Sequence, residues 1–178
     1  MTYTVGISEM RTSNNRDDVL VTYSLGSCVG VALYDPVACV GGMVHCMLPL
    51  SKIDPAKART NPCMFVDTGV PALIRAVLDM DVQAGNACGT ARKACACGST
   101  AVASRLIAKV AGAASLLDGQ GTFNIGERNY IVLRQILWEN HIQVAAEETG
   151  GTIARTLYLY MSSGRTMIKS RGEERELV

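Results

Sequence analysis

The stretch that decides the fold covers residues 19–48 and reads VLVTYSLGSCVGVALYDPVACVGGMVHCML. Residues 19–23, 29–34 and 40–48 are rich in β-branched and other apolar side chains, which predicts three strands. Asp35-Pro36 predicts a turn between the second and third strands, because proline holds φ near the value that the second turn position needs. We therefore expect an antiparallel hairpin that follows closely on another strand.

Outward from this hairpin, the rest of the chain alternates between helix and strand patterns. Asp67 and Thr68 precede apolar residues at helical spacing, which predicts an amphipathic helix with Asp67 as its cap and Pro71 in its first turn. A second helix is predicted over residues 127–140. Alternating apolar residues predict further strands over these ranges: 106–110, 142–146, 153–161 and 165–169.

These elements predict one α/β (α+β) domain over residues 1–170. We expect a layered sandwich in which helices cover a mixed or antiparallel β-sheet. Residues 84–101 have mostly small side chains and are expected to form an exposed loop or a marginal helix. Residues 171–178 (RGEERELV) are expected to be a charged, frayed tail.

Charge and composition exclude several classes of function. Lys and Arg together number 17 and Asp and Glu 16, so the formal charge of +1 provides no basic excess for binding nucleic acid through its phosphates. Residues 1–10 lack the basic and apolar regions of an export signal, and no apolar run is long enough to span a membrane. We therefore expect a cytoplasmic protein that is not embedded in a membrane.

The seven cysteines need a separate explanation, because an odd number cannot pair completely within one chain. Thiols stay free in a reducing cytoplasm. No CxxC pair occurs, and Cys88, Cys95 and Cys97 have no neighbouring histidine, so the sequence predicts no metal site and no other cofactor. Three further cysteines are expected to be packing or incidental residues: Cys39, Cys46 and Cys63.

Cys28 and His45 form the candidate catalytic pair. The chain has only two histidines, and histidine is the commonest general base near neutral pH. A tight turn over residues 35–38 would place Cys28 directly opposite His45, with Cβ atoms about 4.5–5.5 Å apart. The imidazole would take the thiol proton, and the backbone N–H groups of Gly26, Ser27 and Cys28 would face a developing oxyanion. Such a site suits acyl transfer from an amide or an ester.

Two other interpretations remain open at this point. Cys28 and His45 can be ordinary core residues, as most lone cysteines and histidines on strands are. Alternatively, residues 26–30 (GSCVG) match the G-x-C-x-G form of the nucleophile elbow, with His141 as the base of a small-ester hydrolase. The elbow needs a helix after the nucleophile, and the sequence predicts a strand there, so we favour the hairpin pair.

The same residues resemble the chemoreceptor glutamine deamidase family, CheD. The resemblance runs over nearly the whole chain in a set of short motifs: residues 25–29 (LGSCV), 33–36 (LYDP), 41–45 (GGMVH), 47–49 (MLP), 65–68 (FVDT), 124–129 (NIGERN) and 148–151 (ETGG). It implies a layered α/β fold with a Cys–His–Thr site. Cys28 would be the nucleophile, His45 the base and acid, and Thr22 the residue that orients the imidazole.

The resemblance also implies a reaction and partners. The protein would hydrolyse selected glutamine side chains on the helical cytoplasmic domains of chemotaxis receptors, through a γ-glutamyl thioester on Cys28, and release ammonia. A CheC-type chemotaxis phosphatase is implied as a further partner. A non-enzymatic regulatory module that binds such a phosphatase is therefore the second hypothesis. The segment 84–101 looks longer than the corresponding family connection, and its role is left open.

Overall fold

The computed structural model describes residues 1–87, 105–115 and 124–178. Its strands are β1 (Thr2–Thr4), β2 (Met10–Ser13), β3 (Val19–Leu25), β4 (Val29–Asp35), β5 (Val40–Cys46), β6 (Ile107–Gly112), β7 (Gln143–Thr149), β8 (Arg155–Tyr160), β9 (Arg165–Ser170) and β10 (Glu173–Glu176). They form two sheets, one in the order β1-β3-β8-β9-β10 and one in the order β2-β5-β4-β6-β7. Both sheets are mixed, because β1 is parallel to β3 and β6 is parallel to β7.

The helices of the described residues are α1 (Pro55–Thr60), α2 (Val66–Ala87) and α3 (Ile125–Glu139). Helices α2 and α3 cover one face of the second sheet, and their apolar side chains share a core with that face, including Val31, Leu73 and Leu133. The other face of the second sheet packs on the first sheet through side chains such as Met43 and Leu159. The molecule thus has three layers, sheet on sheet on helices, and the predicted layered α+β fold is confirmed.

The hairpin of β4 and β5 has a different register from the predicted one. Asp35 pairs with Val40 and Gly30 pairs with His45, so Cys28 does not lie directly opposite His45. The turn contains four residues instead of two. This two-residue shift still leaves Cys28 and His45 on the same face of the hairpin, as predicted, because the faces of a strand repeat every two residues.

Proline explains the longer turn. A two-residue hairpin turn needs a positive φ at its first central residue, which Pro36 cannot adopt. Instead, the Asp35 carboxylate accepts a hydrogen bond from the Val37 N–H at 2.8 Å, and Cys39 closes the turn with φ of 56°. The register could therefore have been deduced from the position of the proline.

Helix α2 begins earlier than its sequence pattern indicated. It starts at Val66, so Asp67 lies within its first turn and Pro71 lies beyond that turn. The carboxylate of Asp67 is not an N-cap, and it accepts hydrogen bonds from the Ser51 N–H and Oγ, both at 2.8 Å. The interactions of Asp67 therefore hold the start of α2 against the loop after β5.

The predicted loop and tail also differ from expectation. Residues 84–87 belong to α2, and the rest of the 84–101 segment, with Cys88, Cys95 and Cys97, lies outside the described residues. The tail predicted to fray instead forms β10, which pairs with β9. Leu177 anchors it, because this side chain is only 3% exposed and burying a leucine is worth about 1.5–3 kcal/mol.

Candidate active site

Thr22 and His45 meet in the layer between the two sheets. Thr22 lies on β3 of the first sheet and His45 on β5 of the second, and both side chains are fully buried. The Thr22 Oγ1 and His45 Nδ1 atoms are 2.7 Å apart. The structure thus brings together two residues that the family resemblance assigned to one site.

The hydrogen bonds of Thr22 identify the tautomer of His45. The Thr22 hydroxyl donates its only proton to the Val5 carbonyl at 2.8 Å. The hydroxyl must therefore accept a hydrogen bond from His45 Nδ1, so the neutral ring carries its hydrogen on Nδ1. Nε2 keeps a free lone pair, and this atom is buried without a hydrogen-bond partner among the described residues. His45 is held in the state that a general base requires.

Cys28 lies where the chain passes from the first sheet to the second. β3 ends at Leu25 and β4 begins at Val29, so residues 26–28 make the crossing. The side chain of Cys28 is half-buried and packs against the core between the sheets. The crossing therefore brings the thiol to the edge of the same layer that contains His45.

Burial keeps both groups of the candidate pair neutral. It lowers the pKa of His45 from 6.5 to about 4. Burial also raises the pKa of the Cys28 thiol. At neutral pH the resting site contains a thiol and an imidazole rather than the thiolate–imidazolium pair expected from the sequence.

Cys28 and His45 are diagonal neighbours in the hairpin. Gly30 pairs with His45, and Cys28 precedes Gly30 by two residues. The Cα atoms of diagonal neighbours lie about 7–8 Å apart, a gap that longer side chains can bridge. No hydrogen bond joins the Cys28 sulfur to the imidazole, since Nδ1 is bonded to Thr22 and Nε2 has no described partner. Catalytic hydrogen bonds often form fully only when substrate binds.

The crossing loop offers two free backbone donors. The Gly26 N–H donates to the Ser24 carbonyl at 2.8 Å, so Gly26 does not provide the free N–H expected of it from the sequence. The N–H groups of Ser27 and Cys28 have no main-chain partner within the described ranges. An oxyanion formed at a carbon bound to Cys28 Sγ would lie near the Cys28 N–H, since the nucleophile and this donor belong to one residue.

The geometry argues against the elbow hypothesis. A strand, β4, follows Cys28 in place of the helix that a nucleophile elbow needs. His141 is exposed in the turn after α3, and its N–H bonds to the Trp138 carbonyl. The start of α3 contacts the Cys28 loop through Asn129, and the helix continues for ten more residues, about 15 Å, before it ends at Glu139 ahead of His141.

Clusters of metal-ligating side chains and membrane-spanning helices are both absent from the described part of the chain. No group of three or more His, Cys, Asp or Glu side chains is placed there to hold a metal ion. No helix in those ranges has the length and apolarity needed to cross a membrane.

Gly112 and Asn129 are site residues whose roles were not predicted from the sequence. Gly112 has φ of 106°, and a Cβ there would lie 2.3 Å from the Cys28 carbonyl oxygen. Asn129 is buried, and its amide nitrogen donates to the carbonyls of Ser27 at 2.9 Å and Met47 at 3.1 Å. A glycine within a strand pattern is a known sign of close backbone approach. No sequence signal identified the partners of Asn129.

Comparison with known proteins identifies the family. A family model described as CheD chemotactic sensory transduction matches residues 93–170. A probable chemoreceptor glutamine deamidase CheD of Solibacter usitatus is 45% identical over 174 residues, which cover 98% of this chain and 92% of that relative. The chain belongs to the CheD family.

Two more relatives support the same family. A probable chemoreceptor glutamine deamidase CheD 1 of Syntrophus aciditrophicus is 42% identical over 168 residues, covering 94% of this chain and 93% of the relative. A probable chemoreceptor glutamine deamidase CheD of Symbiobacterium thermophilum is 40% identical over 177 residues, covering 97% of this chain and 95% of the relative. The CheD resemblance drawn from the short motifs is confirmed, and these relatives also cover the N-terminal half that contains Thr22, Cys28 and His45.

Proposed function

We propose that this protein is a cysteine-dependent chemoreceptor glutamine deamidase. The observation that carries the proposal is the buried Thr22–His45 pair, which leaves the lone pair of Nε2 free in the layer that the Cys28 thiol borders. Membership of a family whose members are named chemoreceptor glutamine deamidases supports the substrate class.

In the first half of the proposed reaction, Cys28 Sγ attacks the carboxamide carbon of a glutamine while its proton passes to His45 Nε2. The carbonyl oxygen takes up negative charge beside the N–H groups of Ser27 and Cys28. The C–N bond then breaks, and the imidazolium gives its proton to the departing nitrogen. Ammonia leaves, and a γ-glutamyl thioester remains on Cys28.

In the second half, water hydrolyses the thioester. His45 Nε2 takes a proton from the water as its oxygen bonds to the acyl carbon, and the C–S bond breaks. The imidazolium returns the proton to the sulfur, so glutamate is released and the enzyme regains its neutral pair. Thr22 keeps the imidazole oriented through both halves, because it accepts the Nδ1–H hydrogen bond.

The neutral resting pair suits this sequence of steps. A thiol whose pKa is raised by burial is less reactive toward adventitious electrophiles than a thiolate. Proton transfer to Nε2 is then required during the attack itself, so nucleophile and base act together. We propose that a bound carboxamide completes the site by drawing the Cys28 sulfur and the imidazole of His45 together.

The partners follow from the same proposal. The substrates are glutamines on the helical cytoplasmic domains of chemotaxis receptors, and the reaction takes place in the cytoplasm. A CheC-type phosphatase would be a regulatory partner that binds near the same site. No cofactor takes part in the proposed steps.

The test is mass spectrometry of a receptor cytoplasmic fragment after incubation with the purified protein. Each deamidated glutamine changes mass because an amide NH₂ is replaced by OH, which identifies the sites directly. We expect Cys28→Ala and His45→Gln to lose deamidation by at least about 1,000-fold, as removal of a nucleophile or its base usually does. Cys39→Ala is the matched control, because Cys39 lies in the hairpin turn at the other end of β4.

Two results would contradict the proposal. Full activity of Cys28→Ala would show that another group carries the chemistry. A wild-type protein that binds a CheC-type phosphatase and leaves every receptor glutamine unchanged would instead support the non-enzymatic regulatory module.

A further inference from the structure

Each of the three carbonyl groups in the crossing loop accepts one hydrogen bond. The Gly26 carbonyl accepts the Ala114 N–H at 2.8 Å, and the Cys28 carbonyl accepts the Ala113 N–H at 2.7 Å. The Ser27 carbonyl between them accepts the amide of Asn129 at 2.9 Å. Main chain holds the two outer carbonyls, and a side chain holds the central one.

Because each peptide group is planar and trans, a hydrogen bond that holds a loop carbonyl also determines where the N–H of the same peptide points. The C=O and N–H groups of one peptide unit lie in a plane and point in opposite directions. Asn129 binds the Ser27 carbonyl, so the N–H of Cys28, which belongs to the same peptide, points away from Asn129. The Cys28 N–H has no main-chain partner within the described ranges, so it stays available to an oxyanion formed at the sulfur of the same residue.

The position of Asn129 is itself determined by close packing. It is the fifth residue of α3, and the start of this helix lies against the end of β6, where a Cβ on Gly126 would be 2.5 Å from the Ala113 carbonyl oxygen. Asn129 is 0% exposed, so its amide is surrounded by protein atoms. Two carbonyl acceptors on its nitrogen establish which end of the amide faces the loop.

A second hydrogen bond joins Asn129 to the segment that follows His45. Met47 follows His45 by two residues, just after the end of β5, and its carbonyl accepts the same amide nitrogen at 3.1 Å. One side chain therefore holds the segment that precedes the nucleophile and the segment that follows the base.

We infer that Asn129 is a positioning residue that orients the Ser27–Cys28 peptide, so that the Cys28 N–H serves as an oxyanion donor for deamidation. This inference rests on the proposed function and adds to it a residue whose hydrogen bonds go to the backbone on either side of the candidate pair. Donation by Asn129 to the Ser27 carbonyl also polarises that peptide, which makes its N–H a stronger donor.

The test compares two reactions of Cys28 in Asn129→Ala. Deamidation passes through an oxyanion, whereas alkylation by iodoacetamide displaces iodide from the reagent and forms no oxyanion at the site. We expect deamidation of a receptor fragment to fall on the order of 10–100-fold, somewhat less than the loss of a complete oxyanion donor. The loss should appear in kcat with KM unchanged, and the rate of Cys28 alkylation, followed by peptide mass spectrometry, should stay within about twofold of wild type.

Asn140→Ala is the matched control. Asn140 follows the same helix at its other end, and its amide also donates to a backbone carbonyl, that of Ile136, at 2.8 Å. This variant should keep wild-type deamidation and alkylation. If Asn129→Ala does not fold, as thermal unfolding would show, Asn129→Ser retains a hydroxyl donor in a smaller cavity and should show a smaller loss of kcat.

The outcomes separate the inference from the function on which it rests. Wild-type kcat in a folded Asn129→Ala or Asn129→Ser protein would overturn the inference and leave the deamidase proposal intact. Equal losses of deamidation and alkylation would also overturn it, because they would indicate a general disturbance of the thiol. A wild-type protein without Cys28-dependent deamidation would overturn both proposals.

Discussion

At the residue scale, the candidate site depends on hydrogen-bond partners more than on charge. Thr22 donates to the Val5 carbonyl and accepts from His45, and this chain of bonds selects the tautomer with a free Nε2. A carboxylate in the place of Thr22 would attract a proton to the ring. A hydroxyl orients the ring and leaves the pKa of His45 low, at about 4.

Thr22→Val tests this role, because valine keeps the shape of threonine and removes the hydroxyl. The imidazole would lose its orienting partner, and the buried Nδ1–H and Val5 carbonyl would be unpaired. We expect deamidation to fall on the order of 10–100-fold, the size of loss seen when the hydrogen-bond partner of a metal-ligating imidazole is removed. The free energy of unfolding in urea should fall by about 1–3 kcal/mol.

Thr22→Ser is the control for that variant, since it keeps the hydroxyl and loses only a methyl group. It should retain most of the activity. Equal activity of the Val and Ser variants would show that the hydroxyl has no part in the reaction.

At the scale of elements, the site is assembled where β6 ends beside the crossing loop. Gly112 is the last residue of β6, and its Cα approaches the Cys28 carbonyl so closely that no side chain fits. The next two residues donate their N–H groups to the loop carbonyls. The end of β6 therefore holds the two outer carbonyls of the loop, and Asn129 of α3 holds the central one.

Gly112→Ala tests this contact. The new Cβ would begin 2.3 Å from the Cys28 oxygen and would have to displace the loop. We expect deamidation to fall on the order of 100-fold, because a shift of about 1 Å in reacting groups can have that effect. Activity on a receptor fragment and the midpoint of urea unfolding are the measurements.

Gly150→Ala is the matched control, because Gly150 also has a positive φ, 73°, and a Cβ added there would meet no atom within 4 Å. This variant has the cost of placing alanine at a positive φ, about 1–2 kcal/mol, without a collision between the new Cβ and neighbouring atoms. If both alanine variants lost activity equally, strain rather than contact with Cys28 would explain the effect.

At the scale of the whole molecule, packing one sheet on the other buries the site's ionisable groups. The inter-sheet layer holds His45 fully away from solvent, so protonating it in the folded protein costs the energy of burying a charge. Protonating His45 in the unfolded chain has no such cost, because the imidazole is then exposed to water. The fold therefore links its own stability to the charge state of the base.

This linkage predicts a loss of stability in acid. Between pH 6.5 and about 4 the unfolded state binds a proton at His45 that the folded state does not, so the free energy of unfolding falls as the pH falls through this range. The lowering of the His45 pKa from 6.5 to about 4 corresponds to a loss of about 3 kcal/mol in the free energy of unfolding. Urea unfolding of wild type and His45→Gln at pH 7 and pH 4 should show this difference in their pH dependence.

His141→Gln is the control for the pH series, because His141 is exposed at the end of α3. It should keep the wild-type pH dependence. If His45→Gln lost as much stability in acid as wild type, other groups would account for the whole effect.

Much of this architecture could be predicted from local sequence. Residues 19–48 predicted three strands that the structure confirms, because strand propensity and alternation along a strand are local properties. The prediction of a two-residue turn was wrong, although the position of Pro36 indicates the four-residue turn that the structure shows. The frayed tail was wrong because the burial of Leu177 depends on strands that come earlier in the chain.

The sequence by itself determined the layered fold and, through short motifs, the family and the candidate triad of Thr22, Cys28 and His45. Only the tertiary structure decided how those groups are arranged: the free Nε2, the neutral resting pair and the bonds of Asn129 to two loops. The physical reason is that propensity and alternation act between neighbours in the chain. Burial and hydrogen-bond partners depend on segments that only folding brings together.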